Sequence, residues 1–240
     1  MNTQNFKPIR SIIILLIFTV IYSSCIFGVR GKGEIVQQIV SLEDIQSFDL
    51  AIDANVTLII GDEQQIEIRA QQNIIDNIKR KVKSGKWVIE YDKNVISNDP
   101  VEIIIIVPEI RGISISGSGE VYSDDYIESD KIDLSIPGSG VIDLFINANF
   151  TESSISGSGD IFLLGNSLKQ LVNISGSGNY FAFNLESNTC EVNISGSGNC
   201  EVFVNDYLSV NISGSGNVYY IGEPYVDDHI PGSGRVIDSN

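Results

Sequence analysis

Residues 174–179 read Ile-Ser-Gly-Ser-Gly-Asn, and closely similar stretches recur through the second half of the chain. Successive copies of the Gly-Ser-Gly tripeptide lie 18 to 21 residues apart. Its seven first glycines are Gly117, Gly138, Gly157, Gly176, Gly196, Gly214 and Gly232. A near-constant period of this kind is typical of an array in which each repeat is one structural unit stacked on the last.

An isoleucine lies two residues before each of these glycines, and apolar residues alternate with polar residues on both sides of the tripeptide. Such alternation is typical of β-strands. The isoleucines are Ile115, Ile136, Ile155, Ile174, Ile194, Ile212 and Ile230. We expect them to form one interior column, with a sharp corner at each tripeptide. Glycine suits a corner because it admits positive φ and because it lets neighbouring backbones approach closely.

The length of the repeat separates the candidate folds. Propeller blades are roughly twice as long, at ~40 to 50 residues, and helical repeats need a helical apolar period. The sequence therefore predicts an all-β fold, a right-handed parallel β-helix or solenoid with coils of about 19 residues. We expect one such domain over residues 46–240.

One short helix is expected near the N-terminal end, as a plug over the open edge of the solenoid. Asn73 would cap it, the isoleucines at 74, 75 and 78 would lie within it, and Lys79-Arg80-Lys81 would occupy its last turn. That charge order suits the helix dipole. The alternative interpretation of the three basic residues is a contact patch.

The N-terminus has the pattern of an export signal. Lys7 and Arg10 precede the apolar run 12–22, which is short for a membrane-spanning helix. The stretch Ile21-Tyr-Ser-Ser-Cys25 resembles a bacterial lipoprotein box, in which the cysteine is acylated. We therefore predict a signal peptide at 1–24, lipidation of Cys25, and a lipid-anchored tether with the first strand at 25–45. A simple cleaved signal and an uncleaved anchor are the alternatives.

Composition excludes several functions. The formal net charge of −16 argues against nucleic acid as a partner and favours solubility as the role of the acidic residues. His229 is the single histidine, and Lys131 and Lys169 are the only basic residues between 112 and 222. These are too few histidine and basic residues for a catalytic triad, a zinc cluster or a charged catalytic cleft. We therefore predict no catalytic, metal-binding or cofactor-binding residues.

Asparagines recur on both sides of the corners and predict hydrogen-bonded ladders between coils. They are Asn173, Asn193 and Asn211 before the corner and Asn179, Asn199 and Asn217 after it. Calcium is the alternative, but only Glu120 and Asp160 are anionic directly after a corner. Cys190 and Cys200 are interpreted as two small apolar residues of the wall rather than as a disulfide.

The N-terminal strands and the corners together resemble a known family. The residues that carry the resemblance are Phe48 to Ile52, Val56-Thr-Leu-Ile-Ile-Gly-Asp-Glu, Ile66-Glu-Ile-Arg-Ala, Asn73-Ile-Ile, Gly85-Lys-Trp-Val-Ile and the repeated Ile-Ser-Gly-Ser-Gly. Over about residues 46–225 the chain resembles the putative auto-transporter adhesin, head GIN domain family of Bacteroidetes. The resemblance implies an exported, often lipid-anchored β-solenoid and supplies no catalytic residues.

Three functions follow in order. Non-catalytic binding or adhesion at the cell envelope leads, with anchorage in the outer membrane and an envelope glycan or protein as partner. A structural scaffold of the envelope is second, and a polysaccharide-acting enzyme is third. An exposed aromatic or Ser/Asn stripe along several coils would favour binding, whereas a charge-lined cleft would favour catalysis.

Overall fold

The computed structural model describes residues 28–240, and these form a β-solenoid of about seven turns with coils of about 19 residues, as the sequence predicts. Residues 28–240 contain one short helix, α1, which spans Gln72–Ile75. The strands are β1 Val29–Arg30, β2 Ile35–Val40, β3 Ser47–Leu50, β4 Asn55–Ile60, β5 Gln65–Gln71, β6 Val82–Lys83, β7 Lys86–Ile89, β8 Val95–Ser97, β9 Glu102–Val107, β10 Gly112–Ser114, β11 Glu120–Ile136, β12 Val141–Ile155, β13 Asp160–Ile174, β14 Tyr180–Ile194, β15 Cys200–Ile212, β16 Val218–Ile221, β17 Tyr225–His229 and β18 Val236–Asp238.

The isoleucine column stacks in parallel register in the interior. Ile136 pairs with Ile155, which pairs with Ile174 on the next coil. The column is buried from Ile115 to Ile212, and only Ile230, on the last coil, is half-buried. The register deduced from the repeats is therefore confirmed.

The corner glycines are required by close packing between coils and not by an unusual backbone conformation. Positive φ was expected there, and this expectation is wrong. Among the described glycines it occurs only at Gly33, Gly85, Gly165 and Gly222. A Cβ at Gly178 would lie 1.8 Å from the carbonyl oxygen of Gly159 on the coil below. The corners thus form a ladder of backbones that leaves no room for a side chain.

The first coils do not stack in chain order. Strand β3 pairs with both β7 and β10, and β4 pairs with both β9 and β11. The coil at residues 47–60 is therefore enclosed, and the coil at 86–107 lies outside it at the N-terminal end of the solenoid. Antiparallel strands then extend the two walls beyond that coil, β5 and β2 next to β9 and β6 next to β7. These strands cover the open edge of the parallel stack.

The helix belongs to this covering layer but is shorter than predicted. Its N-cap is Gln71, with no side-chain capping bond. The side chain of Asn73 instead donates to the carbonyl oxygen of Arg30 at 2.8 Å and accepts from the amide of Lys32 at 2.9 Å. The predicted capping role of Asn73 is wrong, because its amide is used to hold the segment after β1 against the domain.

The basic residues 79–81 also lie outside the helix. The last turn of α1 contains no basic residue, so their predicted place at its C-terminus is wrong. The chain from Asn77 to Lys83 instead runs antiparallel to the segment 86–92, starting with the amide of Lys79 donating to the carbonyl oxygen of Glu90 at 2.9 Å. Ile74 and Ile75 lie in α1, as predicted, but the predicted place of Ile78 in the helix is wrong, because α1 ends at Ile75. All three isoleucines are buried.

The core is almost entirely aliphatic. Phe48, Trp87 and Tyr180 are its only buried aromatic residues within the described part of the chain. Cys190 and Cys200 are free and buried in the wall, which confirms their interpretation as small apolar residues. No helix among the described residues is long and apolar enough to cross a membrane.

Candidate binding surface

The outer surface of one wall carries eight of the sixteen aromatic residues between 28 and 240. This wall follows each Gly-Ser-Gly corner, and its side chains alternate between the interior and the outside because strand side chains alternate. In β13, Ile161 and Leu163 are buried, whereas Phe162 and Leu164 point outward and are half-buried. We call this surface the aromatic face. Its outward residues are Tyr122, Tyr126, Phe145, Phe162, Leu164, Phe181, Phe183, Phe203, Tyr219 and Ile221.

The register of the strands aligns these residues in columns along the solenoid axis. Tyr122 pairs with Asp143, and the column continues through Phe162, Phe181 and Glu201 to Tyr219. The second column begins with Tyr126, Phe145 and Leu164. Equivalent residues on successive coils are separated by about 4.8 Å, the spacing between strands. The face therefore extends across six coils.

The rings of the aromatic face pack against one another. Phe162 and Phe181 stack with centroids 4.7 Å apart and an interplanar angle of 16°. Tyr126 and Phe145 meet edge to face, with centroids 5.7 Å apart at 65°. One face of each phenylalanine ring is covered by the other ring, and both side chains are half-buried. The exposed parts of these rings offer apolar contact to a partner.

Two carboxylates lie within the first aromatic column. Partial burial, with a smaller contribution from the negative charge of Asp124, raises the pKa of Asp143. Partial burial also raises the pKa of Glu201. Both shifts have the same physical cause, because the neighbouring rings remove water from the charged form. A positive charge supplied by a partner would offset the free-energy cost of keeping these carboxylates charged.

The wall that precedes each corner has a different surface. Lys131 and Lys169 lie on either side of the Phe150 ring, with their ammonium nitrogens 5.5 and 5.7 Å from its centroid. Lys131 also pairs with Asp133 at 2.8 Å and with Glu152 at 2.9 Å. These exposed pairs contribute little to stability. Further along the same wall, Tyr207 and Tyr225 stack at 6.0 Å.

The asparagines after the corners form the predicted ladder. The side-chain oxygen of Asn179 accepts from the backbone amide of Asn199 at 3.0 Å, and Asn217 makes the same bond to Asn199. Asp160 occupies the first position of the ladder, and its carboxylate accepts a hydrogen bond from the backbone amide of Asn179 at 2.8 Å. The asparagines before the corners are less connected, through a bond from Asn193 to Asn173 at 3.2 Å.

The described residues 28–240 contain no group of three or more His, Cys, Asp or Glu side chains that could hold a metal ion. His229 is exposed on β17, and Glu120 is exposed at the start of β11. Cys25, the predicted lipidation site, lies outside the described residues.

The comparisons with known proteins agree on the fold. A structure from Bacteroides fragilis, described as a putative adhesin, has 21% identity and a TM-score of 0.82, and the match covers 88% of this chain and 100% of that one. A putative lipid binding protein from Parabacteroides distasonis has 20% identity and a TM-score of 0.75, covering 88% and 99%. A putative adhesin from the same organism has 21% identity and a TM-score of 0.73, also covering 88% and 99%. A search of curated proteins found no match.

The family comparison covers most of the solenoid. Residues 46–224 match the family described as putative auto-transporter adhesin, head GIN domain. This range includes the enclosed coil at 47–60 and the aromatic face. The chain belongs to the putative auto-transporter adhesin, head GIN domain family.

Proposed function

We propose that this protein is a non-catalytic binding module of the cell envelope, which is exported, anchored in the outer membrane through Cys25 and contacts its partner through the aromatic face. One observation carries the proposal: of the seven phenylalanines between residues 28 and 240, six lie on the outside and only Phe48 lies in the core. Aromatic side chains are among the largest apolar groups available to a core. Their placement outside an aliphatic core is unfavourable for the isolated chain, and it is understandable if a partner covers them.

The partner that best fits the aromatic face is a protein surface with apolar side chains surrounded by lysine or arginine. Apolar contact would be made with the half-buried rings, and basic groups would meet Asp143 and Glu201. The sequence from residue 94 onward has twenty acidic and four basic residues, so it attracts basic partners at long range. Family membership and the three structures described as adhesins or a lipid binding protein support an envelope role.

The double substitution Phe162→Ser and Phe181→Ser tests this proposal. The matched control is Tyr207→Ser with Tyr225→Ser, because these rings also stack but lie on the other wall. Binding of the purified chains to an immobilised envelope protein fraction is measured, alongside a protease-treated fraction and a glycan panel. We expect the phenylalanine pair to weaken binding by roughly 30-fold or more, as loss of a hot spot of about 2 kcal/mol does, and the control to bind normally.

Equal binding by both double variants would contradict the assignment of the aromatic face. Binding that survives protease treatment and is competed by a free glycan would contradict a protein partner. Robust turnover of any polysaccharide, abolished by one Asp or Glu substitution, would contradict a non-catalytic function.

The anchor is tested separately. Cys25→Ala should release the protein from the membrane fraction, and mass spectrometry of the extracted wild-type chain should show an acylated N-terminal cysteine. An unmodified Cys25, or a chain that still begins at Met1, would contradict lipid anchorage.

A further inference from the structure

The N-terminal end of the solenoid carries a concentration of positive charge that the proposed function does not use. We call residues 79–93 the basic hairpin. It contains six basic residues, Lys79, Arg80, Lys81, Lys83, Lys86 and Lys93, against the acidic residues Glu90 and Asp92. Its net charge is therefore +4, in a chain whose net charge is −16.

The basic hairpin lies at the extreme end of the sheet. The strand order on this wall ends with β10, β3, β7 and β6, so β6 is the edge strand opposite the C-terminal coil. Lys81, Lys83 and Lys86 are exposed, whereas Lys79 is held in an ion pair with Glu90 at 2.9 Å. Positive charge is thus collected at one end of an elongated molecule whose coils are acidic.

Helix capping does not explain these lysines. The helix ends at Ile75, too far away to be capped by them. Lys83 and Lys86 face each other directly across the hairpin. Two like charges in this position repel and destabilise a hairpin. The arrangement would be favourable if an external anion lay against both side chains.

The proposed lipid anchor would place a membrane near this end. The amide of Val29 donates to the carbonyl oxygen of Asn94 at 2.8 Å, so β1 is fixed directly beside the end of the basic hairpin. Cys25 is three residues before Gly28. At ~3.3 to 3.6 Å per residue, three residues span at most about 11 Å. The proposed anchor would therefore hold Gly28, and the end of the basic hairpin beside it, close to the bilayer surface.

Exposed apolar side chains lie close to the same point. Ile96, on β8, is 37% exposed and adjacent to Gly28. Ile35 is 41% exposed at the start of β2, which follows β1 directly. A surface that combines lysines with isolated isoleucines is suited to the interface of a bilayer, where headgroups are charged and the region beneath is apolar.

We propose that the basic hairpin binds the headgroups of anionic lipids and holds the solenoid upright on the membrane in which Cys25 is anchored. The inference rests on the proposed lipid anchor, and its occupant is a lipid surface. In this orientation β6 contacts the phosphates, and the acidic coils with the aromatic face extend away from the bilayer, which repels them.

Trp87 provides the measurement. It is the single tryptophan of the sequence, it lies on β7, and its indole nitrogen donates to the carbonyl oxygen of Lys79 at 2.8 Å. Membrane-extracted full chain is reconstituted into vesicles of phosphatidylglycerol and phosphatidylcholine in equal parts, or of phosphatidylcholine alone, each with headgroup spin-labelled lipid. Flotation reports anchorage, and quenching of Trp87 fluorescence reports contact between the basic hairpin and the lipid surface.

We expect strong quenching in the anionic vesicles at low salt, and weak quenching at high salt or without phosphatidylglycerol. Removing each lysine should lower the ratio of bound to free hairpin about fivefold. The triple variant Lys81→Glu, Lys83→Glu and Lys86→Glu should therefore lose the quenching. The matched control Arg111→Glu, Lys169→Glu and Arg235→Glu has the same change in net charge and should keep it. Protection of Trp87 from aqueous acrylamide shows that each variant is folded.

The outcomes separate this proposal from the anchor. Flotation without quenching, or quenching that is equal in both vesicle types and in the triple variant, would overturn the lipid-binding role while the anchor stands. A wild-type chain that fails to float would overturn both. If the triple variant self-associates but is still quenched, the lysines protect the edge strand from pairing with other chains, and the proposal is wrong.

Discussion

The corner glycines offer the sharpest test of the fold, because two physical roles of glycine can be separated in the same chain. Gly33 has a φ of +85°, and a Cβ added there would meet nothing within 4 Å. Gly178 lacks positive φ, but a Cβ there would lie 1.8 Å from the carbonyl oxygen of Gly159. Gly33→Ala therefore measures backbone strain alone, and Gly178→Ala measures close packing alone.

The expected loss can be worked out from the distances. Real Cβ atoms stay at least 3.0 Å from such an oxygen, so the two coils must separate by about 1.2 Å at Gly178. Three hydrogen bonds cross this gap nearby: Ser177 and Gly178 donate to Gly157 at 3.0 and 3.3 Å, and Ser175 donates to Ile155 at 2.9 Å. At about 1 kcal/mol for each bond, Gly178→Ala should lower the free energy of unfolding by about 3 kcal/mol.

Gly33→Ala should lower the free energy of unfolding by only about 1 to 2 kcal/mol, the strain of a left-handed conformation in an L-residue. Thermal unfolding followed by circular dichroism compares the variants, and Ser177→Ala, an exposed position in the same tripeptide, is the control. For a domain of this size 1 kcal/mol shifts Tm by ~2 to 4 °C, so Gly178→Ala should lower Tm by about 6 to 12 °C. A smaller shift for Gly178→Ala than for Gly33→Ala would refute the packing argument.

Three further predictions concern the interior and the aromatic face. Ile174→Asp buries a charge in the isoleucine column and should lower the free energy of unfolding by several kcal/mol, whereas the exposed Lys169→Ala should change it little in the same thermal assay. Tyr180 donates its hydroxyl to the side-chain oxygen of Gln170 at 2.7 Å in the core, so Tyr180→Phe should lower stability by about 1 to 3 kcal/mol in a denaturant titration; an unchanged midpoint would show that Gln170 finds another donor. Burial raises the pKa of Asp143 above its value in the unfolded chain. The folded protein is therefore more stable when this carboxyl is neutral, below the unfolded pKa, and it loses stability as pH rises through the folded pKa. Asp143→Asn should therefore stabilise the protein at neutral pH and lose this advantage in acid, and a gain that is independent of pH would contradict the assignment.

The repeats made the interior of the solenoid predictable. Seven isoleucines at one position of the repeat define a column whatever the details of the turns, because only an interior position imposes the same side chain on every coil. The conformation of the corners could not be read in the same way. Glycine is compatible both with positive φ and with close backbone approach, and the residue name alone does not separate them. The distances at Gly178 show that close backbone approach is the reason for glycine there.

The order of the N-terminal coils could not be predicted from local sequence patterns either. Strand β3 lies between β7 and β10, and this choice depends on pairings between segments far apart in the sequence. The short helix shows the same limit. Charges at 79–81 matched a helix C-terminus, but the pairing of that segment with residues 86–92 outweighed the local preference.

The aromatic face was missed although its signal was present. In β13 the run Ile-Phe-Leu-Leu at 161–164 is apolar on both sides of the strand, so alternation alone does not show which residues face outward. The columns do show it. Val121, Ile142, Ile161 and Tyr180 define an interior position. The residue after each of them must point outward, which places Phe162 and Phe181 on the surface.

The negative charge of the coils affects which surfaces can cover the aromatic face. An apolar face of this length would associate with a second copy of itself, because two such surfaces would bury each other's rings. Two copies would then also bury Asp143 and Glu201 against like charges, on coils that already repel one another. A basic partner meets no such barrier, because its charges neutralise the carboxylates that the rings desolvate. In the proposed binding mode, the negative charge that opposes self-association would also favour a basic surface as the partner of the aromatic face.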